Sequence, residues 1–525
     1  MLPPEERLVG AQLRRYIDDK LYWVLHAPRQ TGKTTFLQSW MREINAGDGS
    51  NTAEAIASYV TVEACQGVSE PEKSMRTICS AIQRHAGAVG VPVPESTDTN
   101  PGSMLSTMLT NWSALVAPKP LIVLFDEVDV LIDQTLISFL RQLRDGFAAR
   151  GVGTFPVSVV LVGMRDLKDY ITASKGGVSP NPGSPFNIKE DSGTLSNFHK
   201  DDIVRLFAQR TAETGQQITA EALDYVYDQS RGQPWIVNSL FKRATMRILD
   251  RDSTETVTID HIREARKQMI EARETHLDAL GERLRDQRIR RVIQTIIIGE
   301  TNLAMSRTSP DIELAMDLGL VRWDTQTGFT ISNPIYEEIM TRYLDAPYHD
   351  NLPPPSTWHW EKPDGTLDMD ALLKAFQDFW RNNSEVWEQA ADYPEAFPHL
   401  LLMAFLQRIT NGSGRIEREY AAGRGRMDLA VEYHGAWNIL EIKLLRQGKS
   451  FETLMAEGIK QTLGYRDSFS GAPGNTTPHS KDGTPGNLRF PLKCYLIVFD
   501  RRPDKPGWDE RIKWLNNGGV TVVGC

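Results

Sequence analysis

One stretch constrains this chain more than any other. Residues 21–25, Leu-Tyr-Trp-Val-Leu, form a short apolar run with aromatic and β-branched members, which predicts a buried strand. After His26 come Ala27-Pro28-Arg29-Gln30-Thr31-Gly32-Lys33-Thr34-Thr35, and residues 34–44 then read as a helix. A strand, a loop ending in Gly-Lys-Thr and a helix form the context in which the pattern G-x-x-x-x-G-K-[ST] has a physical mechanism. Backbone N–H groups of such a loop, with the helix N-terminus, cradle phosphate oxygens. Pro28, Arg29, Gln30, Thr31, Gly32, Lys33, Thr34 and Thr35 are therefore the expected nucleotide contacts. Lys33 would reach the β- and γ-phosphates, and Thr34 would ligate Mg²⁺. Ala27 stands where the first glycine is expected. That position mainly shapes the turn, so ATP binding should survive the change.

A second strand end agrees with the first. Residues 121–125, Leu-Ile-Val-Leu-Phe, run into Asp126-Glu127. A buried strand ending in two acids would be costly unless something compensated the charges. This is a Walker B pattern: Asp126 would hold Mg²⁺, and Glu127 would orient or activate the attacking water. A third apolar run, 157–162, leads to Gly163-Met164-Arg165-Asp166. Ligands of such sheets sit at the carboxyl ends of the strands. Arg165 is thus placed either to sense a γ-phosphate or to pair with Asp166 or Asp169.

The 525 residues correspond to roughly three to four domains, and their composition is ordinary for a globular chain. Apolar runs such as 296–298 and 400–406 fall far short of the roughly 18 residues that a membrane-spanning helix needs. The opening Met1-Leu-Pro-Pro-Glu-Glu-Arg has no apolar signal core, so export is not expected. The four cysteines, Cys65, Cys79, Cys494 and Cys525, contain no C-x-x-C pair. That argues for a reducing cytoplasm and against a zinc site or disulfide framework. The net charge of −9 does not advertise nucleic-acid binding. A local basic cleft remains compatible with it. The arginines at 283, 285, 288, 290 and 291 read as a solvated face or as a phosphate-contacting one.

Alternating apolar strands and helices (73–86, 104–116, 133–149) predict an α/β fold with a parallel sheet over residues 1–200. Residues 201–285 read as a helical lid. Asp201-Asp202 would cap its first helix, and Thr219 begins another with a capping pattern. Arg231-Gly-Gln-Pro234 would open a further helix, 236–248. Over 286–345, helices at 287–298 and 311–318 precede strands at 320–323 and 329–332, a winged-helix-like module that either binds DNA or packs within the ATPase. The Pro-rich stretch 346–359 reads as a linker. Residues 360–525 read as a mixed α/β domain. Its helices fall at 368–382, 395–409 and 451–466, and its strands at 415–420, 427–433, 438–444, 493–499 and 520–523. Residues 468–487 read as a surface loop.

The phosphate loop, Gly163-Met-Arg-Asp, Gly232-Gln-Pro-Trp-Ile-Val-Asn238 and Asn333-Pro-Ile-Tyr-Glu337 together resemble the bacterial AAA-like ATPases related to the STAND and archaeal ATPase clades. The resemblance covers about residues 1–345. It implies a regulatory switch in which Gly232 and Pro234 of the lid face the nucleotide and relay its state, with Arg231 a candidate lid sensor.

A second constellation lies near the C-terminus. Asp428 begins the apolar run Leu-Ala-Val, and Leu440-Glu441-Ile442-Lys443 follows. With the strand period of two, Glu441 and Lys443 share one face. A hairpin of the two strands would set Asp428 beside Glu441. Two carboxylates and a lysine are what metal-assisted phosphodiester hydrolysis asks for. Asp428 and Glu441 would ligate Mg²⁺, and Lys443 would position the nucleophile. An exposed strand face with a cross-strand ion pair is the alternative reading. The spacing D-x12-E-x-K resembles the PD-(D/E)XK nuclease superfamily, without its leading proline. Gly423-Arg-Gly-Arg-Met-Asp428 and a later helix carrying Gln461 and Tyr465 resemble its RecB-like branch, which implies that Gln461 and Tyr465 face the metal site or the nucleic-acid backbone. Helix packing is their other reading. Glu419 is a candidate further acid, with Glu388 and Glu395 as rivals.

Taken together, the expectation is an ATPase that gates a Mg²⁺-dependent nuclease in defence against foreign DNA, with ATP and Mg²⁺ as cofactors. DNA is favoured over RNA as partner, no membrane is involved, and the ATPase module could support a homo-oligomer. Two alternatives stand beside it. One is a STAND-like signalling scaffold whose C-terminal domain binds without cutting. The other is a DNA-remodelling ATPase that grips DNA through the winged helix.

Overall fold

The computed structural model describes residues 4–9, 13–46, 55–88, 90–93, 98–164, 189–272, 275–297, 309–325, 328–349, 360–390, 397–410, 414–422, 425–434, 436–448, 450–470, 492–502 and 507–525. Arg165, Asp166, Asp169, Glu395, Gly423, most of the 468–487 loop and the 350–359 part of the linker lie outside them, as do the side chains of Glu388, Glu419 and Asp428. The chain divides into two compact units. The first comprises 1–278 and 305–336, and the second 279–304 and 337–525.

The first unit is built on a six-stranded sheet. Its strands are β1 (Leu8–Val9), β2 (Tyr22–His26), β3 (Ile56–Thr61), β4 (Leu121–Asp126), β5 (Ser158–Gly163) and β6 (Lys189–Leu195), in the order β1-β6-β2-β5-β4-β3. Five strands run parallel, and only the short edge strand β1 is antiparallel, to β6. β4 and β5 are buried at every position because helices cover both faces, so they read as unbroken apolar runs. On one face α1 (Leu13–Asp18) and α2 (Lys33–Ala46) enclose Trp23, Phe36 and Leu124. On the other, α3 (Pro71–Ala88), α4 (Met104–Val116) and α5 (Asp133–Phe147) enclose Ile78, Trp112, Phe125 and Phe139.

Next come the helices α6 (Lys200–Thr214), α7 (Ala220–Ser230), α8 (Pro234–Arg243), α9 (Ile259–Glu271) and α10 (Thr275–Arg283). Thr219 caps α7 as expected, its side chain accepting from Ala222 N at 3.2 Å. The cap of α6 differs from expectation. His199 is the N-cap, and Asp202 sits at the third helical position, its carboxylate accepting from His199 N at 2.8 Å. Acids in a first turn satisfy orphan N–H groups from either place, which is why the sequence alone misassigns the cap. The expected helix 236–248 starts earlier, at Pro234, and ends in a π-helical turn over Ala244–Ile248.

After α11 (Gln287–Ile297), α12 (Pro310–Asp317) leads into a hairpin of β7 (Val321–Asp324) and β8 (Gly328–Ile331). α13 (Pro334–His349) then runs past the expected start of the linker at residue 346. α11 is assigned to the second unit, and α12, β7 and β8 to the first.

The second unit also holds a six-stranded sheet. Its strands are β9 (Gly414–Ala422), β10 (Gly425–Tyr433), β11 (Ala436–Leu445), β12 (Leu492–Asp500), β13 (Lys513–Asn517) and β14 (Val520–Gly524), in the order β13-β14-β12-β11-β10-β9. β9, β10 and β11 form an antiparallel meander, and β12 returns parallel to β11. α14 (Met369–Ala390) and α15 (Phe397–Thr410) cover the face that carries Leu440 and Ile442. α16 (Phe451–Ser470) is the crossover between β11 and β12 and covers the other face. Gly458 lets α16 approach closely, since a Cβ there would lie 2.6 Å from Leu496 Cδ1.

Among the described helices, none is long and apolar enough to cross a membrane. All four cysteines are free and buried.

Candidate functional site

The loop 27–32 connects the end of β2 to the start of α2, and its backbone follows from its residues. Gly32 has φ +92°, a left-handed value that disfavours any side chain, and Gln30 is left-handed too, at φ +59°. Ala27 needs no such freedom. Its N–H donates to Gly163 O at 3.2 Å, which ties the loop to the end of β5, and its Cβ is buried. The replaced glycine therefore costs the turn nothing. Lys33 is buried, and its ammonium donates to Ala27 O at 2.8 Å and Pro28 O at 3.0 Å. Thr31 Oγ1 donates to Pro28 O at 2.9 Å. Arg29, Gln30, Thr34 and Thr35 are exposed.

Thr34 and Asp126 meet. Thr34 Oγ1 donates to Asp126 Oδ2 at 2.7 Å, although Asp126 is only 1% exposed. Glu127 follows with a left-handed backbone, φ +60°, and its N–H donates to Asp126 Oδ1 at 2.9 Å. Burial, then the charges of Asp129 and Asp126, push the Glu127 carboxyl above its ordinary range, while Lys33 and Arg29 oppose the rise. Burial pulls the Lys33 ammonium below its ordinary range, against the attraction of Glu127, Asp129 and Asp126. A buried carboxylate joined to a hydroxyl fits a hard, oxygen-seeking cation such as Mg²⁺.

Several residues that sequence reasoning passed over belong to this neighbourhood. Tyr59 on β3 donates to Asp126 Oδ2 at 3.0 Å. Asp129 completes the run Asp-Glu-Val-Asp, and its Oδ1 is buried with no hydrogen-bond partner among the described residues. The third acid, three residues after the first, was a readable signal. Arg7 is buried, donates to Thr31 O and to Ser196 O, each at 2.7 Å, and lies 4.7 Å from the Phe198 ring centroid. Burial lowers its pKa to about 10.

The Gly-Gln-Pro element also reaches the loop. Gln233 Nε2 donates to Gln30 O at 3.5 Å, and Gly232 O accepts from Phe198 N at 2.8 Å. Arg231 caps α7 with a left-handed backbone and pairs with Asp228 at 3.2 Å. Gly319, just beyond α12, packs on the loop as well: a Cβ there would lie 2.6 Å from Pro28 Cβ. A cavity of about 510 Å³ opens at the carboxyl end of β3, lined by Thr61, Glu63, Ala64, Arg84 and His85.

In the second unit, Glu441 lies on β11 and is 2% exposed. Lys443 Nζ donates to Glu441 Oε1 at 2.6 Å. The register pairs Leu429 with Leu440 and with Arg418, and Met427 with Tyr420. Continuing that register aligns Glu419, Asp428 and Glu441 as one row across β9, β10 and β11. On α16, Gln461 is exposed, and Tyr465 packs against the apolar cluster beneath the helix.

Residues 17–171 match a family model described as an AAA domain. With the geometry above, the match identifies an AAA-type P-loop ATPase domain in the first unit. No curated protein matches the chain. Among solved structures, the chain is similar to the Walker-type ATPase PABY2304 of Pyrococcus abyssi, at 14% identity and TM-score 0.44, over 62% of this chain and 93% of that one. It is similar to the Aeropyrum pernix ORC1 protein in complex with DNA, at 17% identity and TM-score 0.36, over 65% and 93%. It is also similar to the Thermotoga maritima RuvB Holliday junction branch migration motor, at 12% identity and TM-score 0.33, over 63% and 95%.

Proposed function

We propose that the first unit binds and hydrolyses ATP, and that its nucleotide state gates a Mg²⁺-dependent phosphodiesterase in the second unit. The substrate class is nucleic acid, DNA in preference to RNA, and the setting is defence against foreign DNA in the cytoplasm. The observation that carries the ATPase half is the hydrogen bond from Thr34 to the buried Asp126. Loop N–H groups and Lys33 hold the phosphates. Thr34 and Asp126 hold Mg²⁺, which supplies charge neutralisation on the transferred phosphoryl group. Glu127 accepts a proton from the attacking water, and its raised pKa makes its ionised form the stronger base. Arg165 senses the γ-phosphate. Arg7, Gln233 and the Pro28–Gly319 contact relay the nucleotide state from the loop to the lid and to α12.

The nuclease half is supported by the row Glu419–Asp428–Glu441, with Lys443 two residues beyond. Asp428 and Glu441 hold Mg²⁺, Glu419 completes the acidic set, and Lys443 orients the nucleophile. Gln461 and Tyr465 contact the nucleic-acid backbone. Domain limits of 1–200, 201–285, 286–345 and 360–525 accompany this reading, as does a homo-oligomer through the ATPase module.

One observation favours the second reading, a signalling scaffold. The 2.6 Å ion pair of Lys443 with Glu441 is also what a structural strand-face pair would form. The assay that separates the two is cleavage of plasmid DNA, linear DNA and RNA by wild type and Asp428→Ala. Cutting that disappears in the variant supports the nuclease; intact substrate in every lane supports the scaffold.

A further inference from the structure

We infer that Tyr59 is a positioning residue for the metal-holding carboxylate of Asp126, deciding which of its oxygens faces the ion. The inference rests on the reading of Asp126 as a Mg²⁺-holding residue. β3 lies parallel to β4 with Thr61 opposite Asp126, so Tyr59 sits two residues before that row, on the same sheet face. Its ring packs against the apolar layer that holds Phe36 and Leu124. The ring of His85 meets it edge-on, with centroids 5.6 Å apart and planes at 86°. The ring is therefore held on two sides, and its hydroxyl is delivered to Asp126 Oδ2 at 3.0 Å.

A carboxylate offers about four lone-pair sites. At Asp126 the described donors occupy three of them. Thr34 and Tyr59 both donate to Oδ2, and Glu127 N–H donates to Oδ1. The open site is on Oδ1, so the carboxylate has one orientation to offer. The Thr34 hydroxyl donates its hydrogen bond to Asp126, and its oxygen lone pairs stay available to a cation. Tyr59→Phe removes that donor and leaves the ring's packing in place.

The test uses the full chain and Mn²⁺ as a spectroscopic stand-in for Mg²⁺. Mn²⁺ affinity is measured by electron paramagnetic resonance with saturating ADP. Affinity for a fluorescent ADP analogue is measured in chelator, and thermal stability alongside, for wild type, Tyr59→Phe and Asp126→Ala. Loss of one hydrogen bond to a charged group predicts Mn²⁺ binding about tenfold weaker in Tyr59→Phe. Metal-free nucleotide affinity should stay within about twofold of wild type, because no phosphate contact changes. Unchanged Mn²⁺ affinity in Tyr59→Phe, with or without a lower melting temperature, overturns the inference and leaves a packing role. If Asp126→Ala also binds Mn²⁺ like wild type, the assignment of Asp126 falls and the role of Tyr59 falls with it.

Discussion

Thr34 and Asp126 stand 92 residues apart in sequence and share one hydrogen bond of 2.7 Å at the mouth of the sheet. The contact forms because β5 lies between β2 and β4 and aligns their carboxyl ends, where the loop and the acid emerge. Thr34→Ala should therefore weaken Mg²⁺-dependent nucleotide binding and leave metal-free binding close to wild type. Lys33→Ala should weaken both. A calorimetric titration of each variant with ADP, with and without Mg²⁺, checks the split. Equal losses in the two variants would contradict separate roles.

Gly319 gives a test of the contact between α12's end and the phosphate loop. It has φ +71°, and a Cβ would crowd Pro28. Gly319→Ala should lower ATP affinity about fivefold, the equivalent of about 1 kcal/mol, by displacing Pro28. Substitution at Gly365, also left-handed but with a Cβ that would lie 3.8 Å from Glu361 Oε1, strains the backbone without touching the loop and serves as the control.

Gly232 is more demanding. Its φ is +75°, and a Cβ would overlap the Phe198 carbonyl. Gly232→Ala adds a left-handed backbone cost of about 1–2 kcal/mol to that overlap. A clear drop in melting temperature and loss of nucleotide-dependent protection of α8 in hydrogen exchange are expected. A variant as stable as wild type would show that Phe198 yields easily.

The Lys443–Glu441 pair separates stability from chemistry. Lys443→Ala removes a cation from beside a carboxylate that is 2% exposed and should destabilise by about 1–3 kcal/mol. Replacing both residues by Met removes charge and partner together, so urea unfolding should recover much of the loss. Nuclease activity should stay absent in both. Recovery of activity with stability would assign the pair a structural role alone.

Acid stability has a marker at Asp370. Burial raises its pKa, but the Lys493 ammonium at 3.0 Å and the Tyr495 hydroxyl at 2.9 Å outweigh burial and hold it below the ordinary value. A folded pKa below the unfolded one means that the stabilisation is present above the unfolded value, about 3.9, and is lost as pH falls through the folded one. Asp370→Asn should destabilise near neutral pH, and its deficit should shrink below about pH 4. A deficit independent of pH would contradict the ionic contribution.

The sequence made some of this legible and hid the rest for physical reasons. β2, β4 and β5 are covered on both faces, so their side chains are continuously apolar. β3 carries Ser58, Tyr59 and Thr61, and β6 begins Lys-Glu-Asp; neither offers an apolar run, and backbone pairing in the sheet makes them strands all the same. β13 is an exposed edge, Lys-Trp-Leu-Asn-Asn, and offers no apolar run either. Lys33, Thr34, Asp126 and Glu127 could be read because their motifs are local. Tyr59 and Arg7 could not, because each joins the site through a contact between distant segments that no spacing encodes.

The proposed function is a nucleotide switch that controls a metal-dependent nuclease. The most direct measurement is cleavage of supercoiled plasmid, linear DNA and RNA with Mg²⁺, with and without ATP, by wild type, Lys33→Ala and Asp428→Ala. A gated nuclease predicts DNA cutting that vanishes in Asp428→Ala and changes with ATP or with Lys33→Ala. Cutting that persists in Asp428→Ala, or is indifferent to both ATP and Lys33, would contradict it.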